Sequence, residues 1–191
     1  VGQRQESLAE RYERVAALQR ESFVVSADAF RVDEFGMYHH DGDMGIIAYR
    51  MAERVFTELL PTTDRVVALA GAPGAGKTTW IREHKEPGVL YLDLTLSRRR
   101  ARREICAIAS NAGKEISCFF LHPKVEVCLA RNRSRGRQVP EDRVRRAHHR
   151  LTVCPPGRDE GWSGITIVGD GLEADSGLLE GDLDSGLDSA G

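Results

Sequence analysis

Residues 66–79, VVALAGAPGAGKTT, join an apolar run of strand length, Val66 to Ala70, directly to a glycine-rich turn. Gly71 through Gly76-Lys77-Thr78 satisfies the phosphate-binding pattern of glycine, four residues, Gly-Lys-Thr. The pattern carries its mechanism only between a strand and a helix, and the residues on either side predict that context. The glycines let backbone N–H groups wrap phosphate oxygens, and a helix beginning near Gly76 aims its positive end at them. Lys77 can reach the outer phosphates of a nucleotide, and the Thr78 hydroxyl is placed to ligate magnesium. This reading assigns Gly71, Ala72, Pro73, Gly74, Ala75, Gly76, Lys77, Thr78 and Thr79 to nucleotide binding.

Working outward, the turn feeds a short helix to about Lys85, which Pro87 and Gly88 break. VLYLDLT, residues 89–95, reads as a buried strand, and Ser97 can cap a helix that runs through the following arginines to Ala112 and stops at Gly113. A strand over 116–122, a helix over 125–133, a basic helix over 140–151 and a strand over 165–168 complete the downstream half. Upstream, Ser7 and Glu10 stand in capping-box spacing at the start of an amphipathic helix over 7–20. Phe23, Val24 and Val25 read as a short strand, 26–31 as the turn after it, 32–45 as a loop, and 46–60 as a helix ended by Pro61. Strands alternating with helices predict an α/β, three-layer sandwich around a mainly parallel sheet of about five strands. One domain covers 1–168, with segments 22–60, 65–95 and 131–150 carrying the candidate chemistry. From Gly169 onward there is no Lys, Arg or aromatic residue, and 169–191 reads as a disordered acidic tail.

The chain has 191 residues, of which 41% are hydrophobic, enough for one core. No stretch approaches the roughly 18 consecutive apolar residues of a membrane span, and the first twenty residues lack a secretory apolar region, so no membrane partner and a cytoplasmic location are expected. The net charge of −2 is a cancellation: residues 98–150 carry 15 Lys and Arg against 5 Asp and Glu, while 169–191 carry 7 acidic residues and no basic one. The basic stretch points to a partner rich in phosphate, or to nothing more than a solvated helical face. Cys106, Cys118, Cys128 and Cys154 lie ten or more residues apart, which excludes zinc spacing and reads as reduced packing residues.

Phosphoryl chemistry at such a turn needs a carboxylate near magnesium and, in a kinase, a base for the acceptor hydroxyl. Asp93 and Asp28 both follow apolar strand runs, and the C-terminal ends of parallel strands converge on one ligand crevice. Asp93 can hold the metal or its waters. Asp28 can take a proton while Arg31, three residues on, holds a phosphate of the acceptor.

With GAPGAGKTT, SADAFR, LDLT followed by an arginine-rich helix, and FFLHP leading to CLARNRSRGRQVPEDRVRR, the sequence resembles the small P-loop kinases grouped with polynucleotide kinase and, more distantly, zeta-toxin kinases. The resemblance spans about residues 22–168. It implies an ATP- and magnesium-dependent kinase of nucleoside-kinase-like fold, with Asp28 as general base, Arg31 as acceptor-phosphate contact, and a lid whose Arg135 and Arg131 meet the transferring phosphoryl group. Oriented cations supply most of the catalysis of such a transfer.

Two departures stand out. Leu96 occupies the place where the family carries asparagine after its threonine. The segment bearing Asp28 also precedes the glycine-rich turn, by 49 residues from Asp28 to Lys77, whereas the family places it after. Taking the family's spatial order as base strand, threonine strand, P-loop strand, fourth and fifth strands, right-handed crossovers leave the helices on their usual faces after this swap. The rearrangement is therefore permitted, and every candidate strand end keeps its place.

The leading expectation is a kinase whose acceptor is a hydroxyl, and the basic stretch leans modestly toward a nucleic acid 5′-OH; a small-molecule kinase, a P-loop ATPase and an inactive homologue stay open. His39-His40-Asp41-Gly42-Asp43 has ligand-type residues but reads as an acceptor-side loop or a solvated turn. His148 and His149 read as surface residues and Trp162 as packing. Of the five arginines at 98, 99, 100, 102 and 103, one or two can face a phosphate backbone, since five in six positions go round most of a helix. Oligomeric state has no signal in the sequence.

Overall fold

The computed structural model of the chain describes residues 6–32, 37–39 and 42–169. Helix α1, Leu8–Ser22, begins at the expected capping box: the Glu10 N–H donates to Ser7 Oγ, and the Ser7 N–H donates to Glu10 Oε2 at 2.9 Å. Phe23, left-handed at φ 51°, ends it and turns the chain into strand β1, Val24–Val25. A 3₁₀ turn, Ala27–Arg31, follows β1, and helix α2, Gly42–Leu59, packs against it.

Helix α2 starts four residues before the position its apolar periodicity predicts. Its first turn is held from outside: the Tyr12 hydroxyl donates to Met44 Sδ at 3.3 Å, and the Arg31 guanidinium lies over Gly45, where a Cβ would sit 3.0 Å from Nη2. The acceptor-side sequence 39–43 falls partly outside the described residues, at His40 and Asp41, as does the expected acidic tail from residue 170 onward.

Strand β2, Arg65–Ala70, leads through the glycine-rich turn into helix α3, Lys77–His84. Strand β3, Val89–Asp93, helix α4, Arg99–Asn111, strand β4, Ile116–Leu121, helices α5, Val125–Arg133, and α6, Glu141–Val153, and strand β5, Gly164–Val168, complete the order. Ser97 does not cap α4: Arg98 holds that position without a side-chain bond. The displaced start follows from Leu96, which is buried in a left-handed turn at φ 48° and whose carbonyl accepts from Arg102 Nη1.

The five strands form one all-parallel sheet in the order β1-β3-β2-β4-β5. Segment order in the chain and strand order in space therefore differ, and the Asp28 segment lies at the edge beyond β3. Val25 pairs with Leu92, and Leu69 with Asp93, so the three candidate strand ends stand side by side at one end of the sheet.

Both sheet faces are covered, which is why the strands read as continuous apolar runs. Val66, Ala68, Leu90, Leu92, Ile116 and Phe120 pack under α1, α2 and α4. Val67, Leu69, Val89 and Tyr91 pack under α3, α5 and α6. Trp162 is buried in the first layer, the packing role its sequence suggested. Cys106, Cys118 and Cys128 are buried thiols and Cys154 is half-buried, all four unbridged. His149 is exposed, but His148 is not a simple surface residue. Its ring stacks on His122 at 4.3 Å and its Nε2 meets the Pro123 carbonyl, tying α6 to the end of β4.

The arginine run of α4 is mostly paired within the chain, with Arg102 alone buried. Arg102 is fully buried and paired with buried Glu160 through two 2.7 Å bonds, with the Leu96, Cys154 and Pro155 carbonyls taking its other donors. Arg99 and Arg103 pair with Asp159, and Arg100 with Glu104. Burial alone pushes the Glu160 carboxyl up, but the bonds from Arg102 and Trp162 outweigh it and hold it below the usual carboxylate value.

Candidate functional site

The end of β2 and the start of α3 set the geometry. Gly74, at φ 85°, and Gly76, at φ 105°, adopt left-handed conformations that glycine takes at little cost. Gly74 has a second reason to lack a side chain: a Cβ there would lie 2.2 Å from the Cys128 carbonyl oxygen, so the turn packs directly on the backbone of α5.

The helix that follows has no side-chain cap. Its first hydrogen bond runs from the Trp80 N–H to the Gly76 carbonyl, which leaves the N–H groups of Lys77, Thr78 and Thr79 without intrahelical acceptors. Uncapped donors at the positive end of a helix suit an anion.

Lys77 is buried, and its ammonium donates to the carbonyls of Gly71 at 2.9 Å and Ala72 at 3.4 Å, with Asp93 Oδ1 4.0 Å away. Thr78 is exposed and its hydroxyl donates to Asp93 Oδ2 at 2.6 Å. The sheet register brings these two oxygens together, since Asp93 is the last residue of β3 beside Leu69 of β2. A hydroxyl and a carboxylate are hard oxygen donors of the kind magnesium accepts alongside water and phosphate. Among the described residues no group of three or more His, Cys, Asp and Glu is assembled, so the pair does not extend into an all-protein cage. Arg131, from the end of α5, reaches over the turn and donates to the Ala75 carbonyl at 3.3 Å.

A second cluster forms beyond β3, on the 3₁₀ turn that follows β1. Asp28 accepts from the Tyr38 hydroxyl at Oδ1 and from Arg137 at Oδ2, both at 3.1 Å, and Arg31 Nε stands 3.6 Å from Oδ1. The Arg137 guanidinium also lies over the Tyr38 ring, 4.0 Å from its centroid. Burial, then the nearby Asp28 charge, pushes the Tyr38 phenol up to about 12, so it is a proton donor at neutral pH. The chain returning to Tyr38 is pinned by an antiparallel bridge between Val32 and Tyr38 and by the His39 N–H donating to the Arg31 carbonyl.

Lys77, Thr78, Asp93 and Arg131 thus gather at the glycine-rich turn, while Asp28 and Arg31 gather at the neighbouring strand end. Arg135 is exposed on the α5–α6 connection and joins neither group, although its neighbour Arg137 reaches Asp28. Two contributors escaped the sequence reading. Tyr38 lies in a stretch rich in turn residues with no periodicity, and Arg137 is one of several arginines with nothing to single it out. Asn132, part of the segment the resemblance marks as a lid, is buried and bonds both the N–H and the carbonyl of Val139, closing the base of the connection.

Compared with known proteins, the sequence matches no family model and no curated protein.

Proposed function

We propose that the chain is a P-loop kinase that uses magnesium and ATP to phosphorylate an acceptor hydroxyl. The observation that carries this reading is the 2.6 Å contact between Thr78 and Asp93 beside buried Lys77, at the uncapped start of α3. A glycine-rich turn used only for packing has no reason to gather those three side chains. The all-parallel sheet between two helical layers suits a nucleoside-kinase-like, three-layer fold.

In this mechanism the free N–H groups of α3 and the Lys77 ammonium hold the β- and γ-phosphates, with Lys77 exchanging its bonds to the Gly71 and Ala72 carbonyls for phosphate oxygens. Thr78 and Asp93 would hold magnesium, which would supply neutralisation of phosphate charge. Asp28 accepts the proton of the acceptor hydroxyl as its oxygen bonds to the γ-phosphorus and the bond to the β,γ-bridging oxygen breaks, releasing ADP. Arg31 orients the acceptor. Arg131, at the end of α5, and Arg135, on the α5–α6 connection that serves as lid, meet negative charge on the transferring group.

A small hydroxyl compound as acceptor remains a second reading, favoured by one observation: four arginines of α4 are paired with acidic side chains, which removes them from the phosphate-facing charge.

Incubation with γ-labelled ATP, magnesium and a panel of 5′-OH oligonucleotides and small hydroxyl compounds tests both readings. Labelled oligonucleotide with the wild type, and with neither Lys77→Ala nor Asp28→Asn, supports the first. Label only in a small compound supports the second, and ATP loss without any labelled acceptor makes the chain an ATPase. Wild-type rates from Asp28→Asn would remove Asp28 as base.

A further inference from the structure

The glycine-rich turn is braced from behind by a group that lies outside it. Strand pairing fixes Asp93 on one side, beside Leu69 of β2. On its other side residues 94–97 have no regular structure before α4, yet two contacts constrain them. The Thr95 carbonyl accepts from the Gly71 N–H at 3.2 Å, which ties the first glycine of the turn to the segment that carries Asp93. Leu96 then turns left-handed at φ 48° with its side chain buried.

A leucine at positive φ is strained, and such a residue persists only where its surroundings over-determine it. Here they converge on one guanidinium. Arg102, fully buried, donates from Nη1 to the Leu96 carbonyl at 3.1 Å. Its other nitrogens are spent holding it still: Nε and Nη2 each bond one oxygen of Glu160 at 2.7 Å, and the Trp162 indole N–H donates to Glu160 Oε2 at 3.1 Å. Packing alone does not call for this arrangement. Apolar side chains of similar volume stabilise a core as well as a buried ion pair or better. What they cannot do is hold a carbonyl.

We propose that Arg102 is a positioning residue for the phosphate site. Through the Leu96 carbonyl it keeps residues 94–96 on the path that aims the Asp93 carboxylate at Thr78 and the Thr95 carbonyl at Gly71. The proposal rests on the kinase reading for what the aligned groups do, and goes beyond it in assigning their alignment to a side chain of α4. Thr78 and Asp93 are the pair that would hold magnesium, and a partner that orients a metal ligand is worth about 10–100-fold in metal affinity or activity. Loss of Arg102 loosens Asp93 and the glycine-rich turn together and leaves the acceptor side, beyond β3, as it is.

The test uses the full chain as wild type, Arg102→Met/Glu160→Leu and Arg102→Lys, with Ile105→Val as a packing control on the buried face of the same helix. The double variant removes both charges, so neither is stranded in the core. Arg102→Lys keeps a positive charge for Glu160 but gives up the planar fork that reaches Glu160 and Leu96 at once. Three quantities are read: amide exchange at Gly71 in the ligand-free protein, binding of a fluorescent ATP analogue as magnesium is titrated, and label transfer against magnesium and against acceptor.

Both Arg102 variants should speed exchange at Gly71 more than at Leu69, the core amide of the same strand. Both should raise the magnesium concentration for half-maximal nucleotide binding and turnover about tenfold or more. KM for the acceptor should not change, and kcat should recover at high magnesium. Ile105→Val should move none of these. Gly71 exchange that rises only in step with Leu69, or an unchanged magnesium requirement in both Arg102 variants, overturns the proposal and leaves the kinase reading intact. A magnesium requirement raised as much by Ile105→Val overturns it as well, because packing then suffices. If wild type neither binds the analogue with magnesium nor labels an acceptor, the kinase reading fails. Exchange then decides separately: selective loss of protection at Gly71 upholds Arg102 as the residue that holds the turn, and its absence overturns that role.

Discussion

The start of α4 with its N-cap and the stretch from the end of α5 into the α5–α6 connection are alike in composition, with five arginines between positions 98 and 103 and four between 131 and 137, yet the fold pairs them differently. In α4, Arg99, Arg100, Arg102 and Arg103 each face an acidic side chain, and Arg102 is sealed against Glu160. In the second stretch, Arg131 and Arg133 at the end of α5 reach the glycine-rich turn and Glu141 at the start of α6, and Arg137 on the connection reaches Asp28. The difference lies in what surrounds each segment. Asp159 and Glu160 lie on the 3₁₀ turn Arg158–Glu160 packed against α4, whereas Arg131 and Arg137 point toward carbonyls and a carboxylate at the sheet's C-terminal end. Counting charge along the chain treats these segments as equal, but only in the first are four of the arginines matched by acidic side chains.

The comparison breaks most directly at Arg102. Arg102→Met strands the Glu160 carboxylate in the core and should cost about 3–5 kcal/mol in denaturant unfolding. The double variant Arg102→Met/Glu160→Leu should recover part of that loss, since removing both partners is far less costly than removing one. At the other segment, Arg135→Ala should leave the unfolding midpoint unchanged but slow phosphoryl transfer about a thousandfold, as expected for a cation that meets only the transition state. Loss of stability without loss of turnover there would reverse its proposed role.

Asn132→Ala should fall between these extremes. It orphans a backbone donor and acceptor at Val139, a loss of about 1–2 kcal/mol, with faster hydrogen exchange confined to residues 133–139.

The two regions should also part in their response to pH. The folded carboxyl of Glu160 titrates below its unfolded value, so its contribution is present above the ordinary carboxylate range and is lost as pH falls through the folded value. Wild type should therefore weaken in acid, and Glu160→Gln, less stable at neutral pH, should show a flatter acid limb. For Tyr38 the sign is opposite. Its folded pKa, about 12, lies above the unfolded value, so its contribution is intact below about pH 10 and fades as pH rises through 12. Phenolate absorbance of wild type minus Tyr38→Phe should show no transition below pH 10. At the small end, Arg100→Ala should leave stability unchanged in denaturant melts, because its pair with Glu104 is exposed on the helix surface.

The fold was largely legible because its signals are local. Residues 66–70 and 89–93 are apolar without a break, as strands buried on two faces must be, and Ser7 with Glu10 marks a helix start by chemistry contained in four residues. Legibility fails where distant contacts decide the outcome. The start of α2 depends on Tyr12 and Arg31, and the start of α4 depends on the buried turn at Leu96, whose carbonyl Arg102 holds. The candidate site divides in the same way. Lys77, Thr78 and the glycines are named by their spacing, and Asp93 and Asp28 by the strands they follow. Tyr38 and Arg137 become visible only when two segments 99 residues apart meet.

By itself the sequence determined the alternation of strands and helices and the glycine-rich turn between one strand and one helix, because hydrophobic period and backbone freedom are properties of neighbouring residues. The tertiary structure decided which arginines are used up and which reach the site. Charge is a property of a residue, but its pairing depends on what the fold brings within a few ångströms.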